Sequence, residues 1–428
     1  MMSATKNDLL DDLKWRGLIA QTTDEAALRE SLKKPITLYI GFDPTAPSIH
    51  VGNLVVLLVL RRFQLAGHNP IPLVGGATGL VGDPSGKNDE RTLNTTDVVQ
   101  EWVARIRTQL EKFLDFQTPV NPAVMANNLD WTAPLSAIDF LRDIGKHFSV
   151  NQMLSKDAVS SRLNKDGISY TEFSYQVLQA MDYLELYKRF NCTLQLGGSD
   201  QWGNITAGLD LIRRVEGGSA HALTIPLLTK ADGTKFGKTA GGAVWLDPTM
   251  TSPYAFFQYW LNSDDADVIN FTKVFSFKSR EEIEALAIRH GENPGAREAH
   301  RELARELTSL VHSPEIAQRV EVAARALFGQ ADLTELDEAT LSSAIAELPK
   351  TTVSASNEMP TWVDLLVETG VVDSKSAARR IVKESGAYLN NEKVIGEDFR
   401  LQKSHFLCGK YAILRKGKRD LAAVELLG

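Results

Sequence analysis

The sequence predicts an α/β domain with a parallel sheet, then a helical domain, then a small basic α+β module. In the first half, short apolar runs alternate with helical patterns, which is typical of a parallel sheet. From about Pro248 onward, helical periodicity replaces the strand pattern. Near the end of the chain, two short helices precede strands that turn at Asn390 and Asn391.

The predicted elements of the first half follow one another in a regular order. Strands are expected over residues 36–40, 71–74, 123–126, 193–196 and 223–227. Helices are expected over residues 52–66, 97–114 and 171–190. Ligands bind beyond the carboxyl ends of the strands in such sheets. The residues that follow these strands are therefore the first candidates for a functional site.

The second half is divided by a stretch rich in Ser, Thr and Pro. Residues 349–360 read PKTTVSASNEMP, a composition typical of a linker. Two helices are expected after it, over residues 361–368 and 374–384. The sequence therefore predicts four segments, namely an α/β domain (1–245), a helical domain (246–348), a linker (349–360) and a C-terminal module (361–428).

Composition excludes several classes of protein. The 428 residues include only two cysteines, which rules out a disulfide framework and a four-cysteine zinc site and favours a reducing, cytoplasmic setting. No apolar run approaches the length that a membrane span needs. The first ten residues lack the basic-then-apolar order of a signal peptide. No membrane partner is therefore expected.

Charge is distributed unevenly along the chain. The net charge is −7, yet residues 374–420 carry 12 Lys and Arg against 5 Asp and Glu, a local charge of +7. Such a basic terminal module suits a polyanionic partner such as a nucleic acid. A solvated basic face with no ligand remains the alternative at this point.

A first candidate motif runs from Asp43 to Asn53, between the first strand and the next helix. A helix N-terminus presents free backbone N–H groups and a positive dipole end, so a phosphate can bind there. His50 would add a side-chain donor, and Gly52 would allow close approach. Taken alone, the segment also fits a helix start whose histidine simply packs.

A second candidate motif is the glycine-flanked loop over residues 230–239, KADGTKFGKT. Lys235 and Lys238 lie three residues apart on it, which suits a mobile clamp over a polyphosphate. An exposed basic loop is the alternative.

Two further motifs carry polar groups. Tyr175, Gln179 and Asp182 share one face of an otherwise apolar predicted helix, where buried polar groups need partners. A strand is expected to end at Gly198, where a nucleoside can approach, and Asp200 at the start of the next helix could accept from ribose. A glycine-rich run over residues 74–87 brings Asp83 to the same edge. The alternatives are that the polar helix face is simply exposed to solvent and that the residues after Gly198 simply cap a helix.

Together and in this order, the four motifs resemble those of the bacterial tyrosyl-tRNA synthetases, a family of class I aminoacyl-tRNA synthetases. The sequence HVGN at residues 50–53 looks like the HIGH motif, and KFGKT at 235–239 looks like the KMSKS loop. The segments GGATGLVGDPSGK and LQLGGSDQWGNIT are also similar to the family. The resemblance covers essentially the whole chain, and the basic module is similar to a small ribosomal-protein-type RNA-binding domain.

The resemblance implies a Rossmann-like catalytic domain, an α-helical anticodon-side domain and a C-terminal RNA-binding domain. It implies that L-tyrosine reacts with ATP to give tyrosyl-adenylate and pyrophosphate, and that the tyrosyl group then passes to the 3′-terminal ribose of tRNA(Tyr). Mg²⁺ would accompany the ATP, with no dedicated metal site in the protein. A homodimer is also implied.

The resemblance also implies roles for the residues of this chain that match the family's motifs. Tyr39 and Asp182 would bind the phenol. The implied contacts to the rest of tyrosine are Tyr175, Gln179 and Asp83 at the ammonium group and Gln201 at the carboxylate end. The implied ATP-binding residues are Gly41, Asp43, His50, Gly52, Asn53, Gly198, Asp200, Lys235, Lys238 and Thr239. The residues implied to stabilise the departing pyrophosphate are His50, Thr45, Lys235, Lys238, Lys87 and Arg91.

One position departs from the family motif. Asn53 stands where HIGH usually ends in a second histidine. An amide can still donate a hydrogen bond although it carries no charge, so we expect activity to survive.

Two other functions are weighed against this interpretation. A tryptophan enzyme or an adenylate-forming synthetase for a small acid could share the phosphate motifs, but a phenol-reading pair such as Tyr39 and Asp182 would be useless to it. A non-catalytic RNA-binding protein could keep the fold. The presence of His50, Lys235 and Lys238 favours the enzyme.

Overall fold

The computed structural model describes residues 9–85, 93–155, 159–160, 167–239, 242–346, 348–355, 358–417 and 420–427. The chain forms two compact units. The first unit comprises residues 1–247 and 264–299, and the second comprises residues 248–263 and 300–428. The sequence predicts that the α/β domain ends at residue 245, whereas in the structure residues 264–299 also belong to the first unit.

The reason for this difference lies at the helix Val268–Phe275, which packs against the helix Val51–Leu65 of the first unit. Arg16 donates hydrogen bonds to the Lys273 and Ser276 carbonyls near the end of the helix, over 2.9 and 3.0 Å. These contacts join residues more than 250 positions apart, which sequence periodicity cannot reveal.

A six-stranded sheet forms the centre of the first unit. Its strands are β1 (Gln21–Thr22), β2 (Thr37–Phe42), β3 (Asn69–Val74), β4 (Ala126–Asn127), β5 (Cys192–Gly198) and β6 (His221–Ile225). They lie in the order β1-β6-β5-β2-β3-β4, and all neighbours are parallel except β1 and β6. The predicted parallel sheet is therefore present, with a short antiparallel edge strand that the sequence did not reveal.

The strand order places a topological switch point between β2 and β5. From β2 the chain adds β3 and β4 on one side, and later adds β5 and β6 on the other. Connections therefore leave β2 and β5 in opposite directions, which opens a crevice beyond their carboxyl ends. That crevice is where the polar motifs of the sequence converge.

Helices surround this sheet. In chain order, the α-helices assigned to the first unit are Leu9–Trp15, Glu25–Ser31, Val51–Leu65, Thr96–Leu110, Leu129–Thr132, Ala137–Asp139, Val150–Leu154, Tyr170–Phe190, Trp202–Glu216, Val268–Phe275 and Arg280–Glu292. A π-helical turn covers Phe140–Ile144, and 3₁₀ turns cover Thr78–Leu80 and Ser199–Gln201. The helix Val51–Leu65 is apolar on nearly all sides and buries Leu54, Leu57, Leu58 and Phe63.

The second unit combines helices with a five-stranded sheet. The remaining α-helices are Pro253–Leu261, Glu298–Val311, Pro314–Leu327, Glu338–Ile345, Trp362–Glu368 and Lys375–Lys383. The strands are β9 (Lys350–Ser354), β10 (Ala387–Leu389), β11 (Glu392–Lys393), β12 (Tyr411–Lys416) and β13 (Asp420–Leu427), in the order β11-β10-β12-β13-β9. Between the two sheets in sequence, β7 (Lys238–Thr239) and β8 (Gly242–Ala243) pair as a short hairpin.

Part of the predicted linker is a strand. Strand β9 occupies residues 350–354 and pairs in parallel with β13, and Val353 is buried in the same core as Trp362. Ser and Thr gave this stretch a linker composition, but β-branched Thr and Val also fit an edge strand. Pairing with residues some 70 positions later decides between the two.

None of the helices in the described residues combines the length and apolarity needed to cross a membrane.

Trp362 provides a test of the second core. Its side chain is fully buried, and its Nε1 donates to the Tyr388 carbonyl over 3.1 Å. We expect Trp362→Ala to destabilise this core by about 3–5 kcal/mol, through lost apolar contacts and a cavity. Hydrogen exchange of peptides from β10, β12 and β13 should accelerate, while peptides from β2 and β5 serve as the control. Equal acceleration in both sheets would contradict this assignment.

Candidate active site

The candidate site lies beyond the carboxyl ends of β2, β3 and β5. Asp43 directly follows β2, the glycines at 75 and 76 follow β3, and Gly198 ends β5. A Cβ on Gly75, the first residue after β3, would displace the Asp43 carboxylate and the Thr78 hydroxyl from their present positions. Because residue 75 has no side chain, the backbone of the turn after β3 lies close to the Asp43 carboxylate at the carboxyl edge of the sheet.

One end of the site is a buried pair of a phenol and a carboxyl group. Tyr39 is 1% exposed, and its hydroxyl has no hydrogen-bond partner among the described residues. Asp182 accepts hydrogen bonds from Asn128 Nδ2 at 2.9 Å and from Trp131 Nε1 at 2.8 Å. Burial raises the pKa of Asp182 to about 7, although these two donors oppose the change. Burial and the nearby Asp182 raise the pKa of Tyr39 as well.

Sequence reasoning missed Asn128 and Trp131. Both follow the two-residue strand β4, at the same carboxyl edge as the other site residues. Asn128 also donates to Thr78 Oγ1 at 2.9 Å and accepts from the Ala77 backbone N–H at 2.7 Å. A polar residue directly after a predicted strand was the available signal, but the strand is too short to show any periodicity.

Asp43 organises the centre of the site. Its carboxylate accepts from the Tyr175 hydroxyl at 2.7 Å and from Thr78 Oγ1 at 2.6 Å. Burial and the adjacent carboxylates raise the pKa of Tyr175 well above its ordinary value, so its hydroxyl stays protonated and donates. The structure thus brings together Asp43 and Tyr175, which belong to two different sequence motifs.

A second carboxylate lies beside a network of amides. Asp83 accepts from the Ser85 backbone N–H at 2.9 Å and from Gln201 Nε2 at 2.7 Å. Asn204 Nδ2 donates to Gln179 Oε1 at 3.0 Å. Asp83, Gln179 and Gln201 were predicted to act together, and the described contacts join them through Asn204, which also donates to Gln201 Oε1 at 3.2 Å. Asn204 itself was not singled out from the sequence.

The end of β5 places Asp200 near this network. A Cβ at Gly198 would lie 2.5 Å from Asp200 Oδ1, so the Asp200 carboxylate would have to shift. Burial and the neighbouring Asp83 raise the pKa of Asp200 above its ordinary value. A cavity of about 970 Å³ opens beside these residues, and its wall includes Asp200, Asn204 and Ser85.

His50 begins the helix Val51–Leu65. Its backbone is extended, and its Nδ1 accepts from the Gly52 backbone N–H at 3.0 Å as an N-cap. Because Nδ1 accepts in the neutral ring, Nε2 carries the proton and can donate. The ring lies edge-on to Trp245, with centroids 5.9 Å apart.

The loop that carries KFGKT lies against this helix start. Val51 donates to the Val244 carbonyl at 2.9 Å, and Leu246 donates to the Ile49 carbonyl at 2.9 Å. Gly237 has φ +86°, and a Cβ there would lie 3.3–3.4 Å from Val51 and from the Gly52 backbone. The two motifs predicted to bind phosphate are therefore neighbours in space.

The remaining predicted residues are placed as follows. Gly41 lies exposed in β2, Thr45 is exposed in the following loop, and Asn53 is half-buried in the first helical turn. Lys235 is exposed on the loop. Lys238 and Thr239 form β7, and their side chains lie outside the described part, as do Lys87 and Arg91 entirely.

Comparison with known proteins decides the family. Residues 30–329 match the model of "tRNA synthetases class I (W and Y)", and residues 340–424 match the "Tyrosine--tRNA ligase SYY-like C-terminal domain". The tyrosine--tRNA ligase of Streptomyces avermitilis is 60% identical over 98% of this chain and 99% of its own. That of Corynebacterium glutamicum is 55% identical over 98% and 100%. The chain belongs to the tyrosine--tRNA ligase family.

Solved structures agree with this family. A C-terminally truncated mitochondrial tyrosyl-tRNA synthetase of Aspergillus nidulans matches with a TM-score of 0.69 and 30% identity, over 75% of this chain and 94% of that one. A tyrosyl-tRNA synthetase of Archaeoglobus fulgidus shares the fold, with a TM-score of 0.54 at 17% identity, over 73% of this chain and 99% of that one. The predictions of the tyrosine--tRNA ligase family, of an aminoacyl-tRNA synthetase and of a Rossmann-like catalytic fold are confirmed.

The raised pKa of Asp182 predicts a contribution of this residue to the pH dependence of stability. An unfolded aspartate loses its proton near its ordinary pKa of 3.8, whereas the folded one retains it up to about pH 7. Between these values the folded state binds more protons, so stability falls as the pH rises, by about 1.4 kcal/mol per pH unit.

We therefore expect the unfolding free energy of the wild type, relative to Asp182→Asn, to fall between about pH 5 and about pH 6.5. Urea unfolding at both pH values measures it. A difference that does not change with pH would refute the raised pKa.

Proposed function

We propose that this chain activates L-tyrosine with ATP, forming tyrosyl-adenylate and pyrophosphate, and then transfers the tyrosyl group to the 3′-terminal ribose of tRNA(Tyr). The observation that carries this proposal is the buried Tyr39 hydroxyl, which has no hydrogen-bond partner among the described residues and lies near the Asp182 carboxyl group. A buried donor without a partner is costly. A ligand that carries its own hydroxyl group would satisfy it.

The substrate phenol completes this pair. Its O–H donates to the Asp182 carboxylate, and its oxygen accepts from the Tyr39 hydroxyl. Phenylalanine would leave the buried Tyr39 hydroxyl without a partner and would give the Asp182 carboxylate no donor beyond Asn128 and Trp131, so the pocket itself rejects it. Tyrosyl-tRNA synthetases are the established example of such rejection of phenylalanine without an editing step. Tryptophan presents an indole N–H at a different position and fits the pair poorly.

The other end of tyrosine meets the carboxylate and amide groups. Tyr175, Gln179 and Asp83 hold the ammonium group, and Gln201 lies at the carboxylate end. Asp43 fixes the Tyr175 hydroxyl through its 2.7 Å hydrogen bond. The Asn204 amide orients Gln179 in the same way. These contacts place the tyrosine carboxylate where ATP approaches from the edge of the sheet.

ATP binds along the carboxyl edge from β2 to β5. The proposed ATP contacts are Gly41, Asp43, Gly52, Asn53, Gly198, Asp200 and Thr239. The phosphates lie at the helix N-terminus beside His50, whose Nε2–H donates to them. Mg²⁺ arrives with the ATP, and the proposal assigns it no dedicated protein ligands.

The reaction is an in-line displacement. An oxygen of the tyrosine carboxylate attacks the α-phosphorus, the bond from that phosphorus to the bridging oxygen breaks, and pyrophosphate departs with the electron pair. The groups proposed to stabilise its growing charge are His50, Thr45, Lys235, Lys238, Lys87 and Arg91. No side chain forms a covalent intermediate, so the protein acts through position and charge.

Two partners complete the proposal. The basic C-terminal residues 361–428, with Arg379, Arg380 and Lys383 exposed on the helix Lys375–Lys383, bind tRNA. The helices of the second unit that precede residue 349 contact its anticodon side. A second copy of the chain covers the exposed apolar side chains Ile138, Leu141 and Val150 to form a homodimer. The enzyme works in the cytoplasm.

The activation step is tested by ATP–pyrophosphate exchange with each of the twenty amino acids offered separately. Exchange is expected with tyrosine and not with phenylalanine or tryptophan, because only tyrosine satisfies the Tyr39 and Asp182 groups. Exchange with tryptophan in preference to tyrosine would overturn the substrate, and absence of exchange with all twenty would overturn the activity.

Tyr39→Phe separates binding from folding. Since the hydroxyl has no partner among the described residues, its removal should leave the urea midpoint unchanged or raise it. Tyrosine binding should weaken about tenfold through the lost hydrogen bond, as measured by equilibrium dialysis. Tyr183→Phe is the matched control, because that hydroxyl donates to the His221 carbonyl at 2.7 Å and its loss should lower stability. A large loss of stability in Tyr39→Phe would argue against the assignment.

A further inference from the structure

The KFGKT motif begins at the end of a hydrogen-bonded hairpin over residues 229–235 of the first unit, which precedes β7 and β8 in the chain. Lys230 donates its backbone N–H to the Thr234 carbonyl at 2.9 Å, and Gly233 donates to the Lys230 carbonyl at 2.9 Å. The Asp232 carboxylate accepts from both the N–H and the hydroxyl of Thr234, at 2.8 and 2.6 Å. Thr229 and Lys235 pair as an antiparallel bridge across the turn. These bonds hold the residues of the turn to one another, with Lys235 at its end.

A buried carboxylate on a separate element holds this hairpin. Asp267 is 4% exposed and precedes the helix Val268–Phe275, yet its side chain makes no capping hydrogen bond to that helix. Its Oδ1 accepts instead from the backbone N–H of Ala231, at 2.7 Å. A buried carboxylate needs such a partner, and a bond to a charged acceptor is among the stronger ones.

The same face of the helix makes a second contact with the hairpin. Asp267, Phe271 and Phe275 are spaced by four residues, so they share one side of the helix. Phe236, the residue that follows Lys235 in KFGKT, is buried with its ring 5.0 Å from Phe271 and 5.3 Å from Phe275. The exposed Lys235 therefore lies between two anchored positions, Ala231 and Phe236.

We propose that Asp267 is a positioning residue for the activation step: through the Ala231 N–H it fixes the hairpin so that the loop lysines approach the phosphates beside His50. The inference rests on the proposed role of those lysines in ATP activation. Asp267 itself touches neither substrate. Its loss would let the hairpin sample other positions, which lowers the fraction of enzyme competent for reaction without disturbing the tyrosine pocket.

Two changes remove the same hydrogen bond from opposite sides. Asp267→Ala removes the acceptor. Ala231→Pro removes the donor, and proline suits this position because Ala231 is the second residue of the turn closed by the Gly233–Lys230 hydrogen bond. Asp267→Asn keeps a carbonyl acceptor and is the rescue variant. Asp264→Ala, three residues earlier with an exposed side chain, is the matched control.

The experiment uses the full chain. It measures the single-turnover rate of tyrosyl-adenylate formation at saturating tyrosine as a function of ATP, and tyrosine affinity by equilibrium dialysis. Asp267→Ala and Ala231→Pro should each lower the rate about tenfold with tyrosine affinity nearly unchanged. Asp267→Asn and Asp264→Ala should remain near the wild type. Because both changes break one bond, the double variant should be no slower than the slower single variant.

The outcomes separate this inference from the proposed function. Lys235→Ala is measured alongside: if it slows activation while Asp267→Ala and Ala231→Pro do not, the anchor is overturned and the role of the lysine stands. If Lys235→Ala has no effect, both the role of the lysine and the anchor fall. Multiplicative effects in the double variant, or tyrosine affinity lost in parallel with the rate, would show a general structural role and also overturn the anchor. If Asp267→Ala does not fold, Ala231→Pro still tests the inference, because it keeps the buried carboxylate and removes only the donor.

Discussion

The site depends first on keeping the Asp182 carboxyl group out of water. Two donors, Asn128 and Trp131, occupy its oxygens, and this only partly offsets the cost of burial, as its raised pKa of about 7 indicates. The Tyr39 hydroxyl is buried nearby without a partner in the described part of the chain. In the free protein, the burial of these two polar groups therefore costs free energy. A bound phenol would lower this cost by forming hydrogen bonds with them, whereas a phenyl ring would not. Specificity thus follows from the pocket itself.

The sheet topology explains how chemistry from distant motifs meets. The switch point between β2 and β5 brings Asp43 and Gly198 to one crevice. Residues 49–51, at the start of the helix proposed to bind phosphate, pair through their backbone with residues 244–246, which directly follow β8. In both cases, backbone hydrogen bonds between paired segments determine where the site's side chains lie. The proposed groups for substrate orientation and charge stabilisation are therefore carried by hydrogen-bonded backbone of the first unit.

Much of this could be predicted from periodicity and motif spacing. The helix predicted over 171–190 is Tyr170–Phe190, and it carries Tyr175 and Asp182 into the crevice. Asn128 could not be found, because it follows a two-residue strand and takes its role from contacts some fifty residues away. Strand β9 was taken for a linker for the same reason, since its partner lies about 70 residues later. Asp267 lies in no motif, and only the fold reveals what it holds.

The most direct test of the central claim is the number of protons released when tyrosine binds. If the phenol donates to the Asp182 carboxylate, the charged form gains a partner and its pKa must fall from about 7. Calorimetric titrations near pH 6.5, in buffers of different ionisation enthalpy, should then show proton release on binding to the wild type, and release should be lost in Asp182→Asn. Proton uptake, or release of the same size in the variant, would contradict the account.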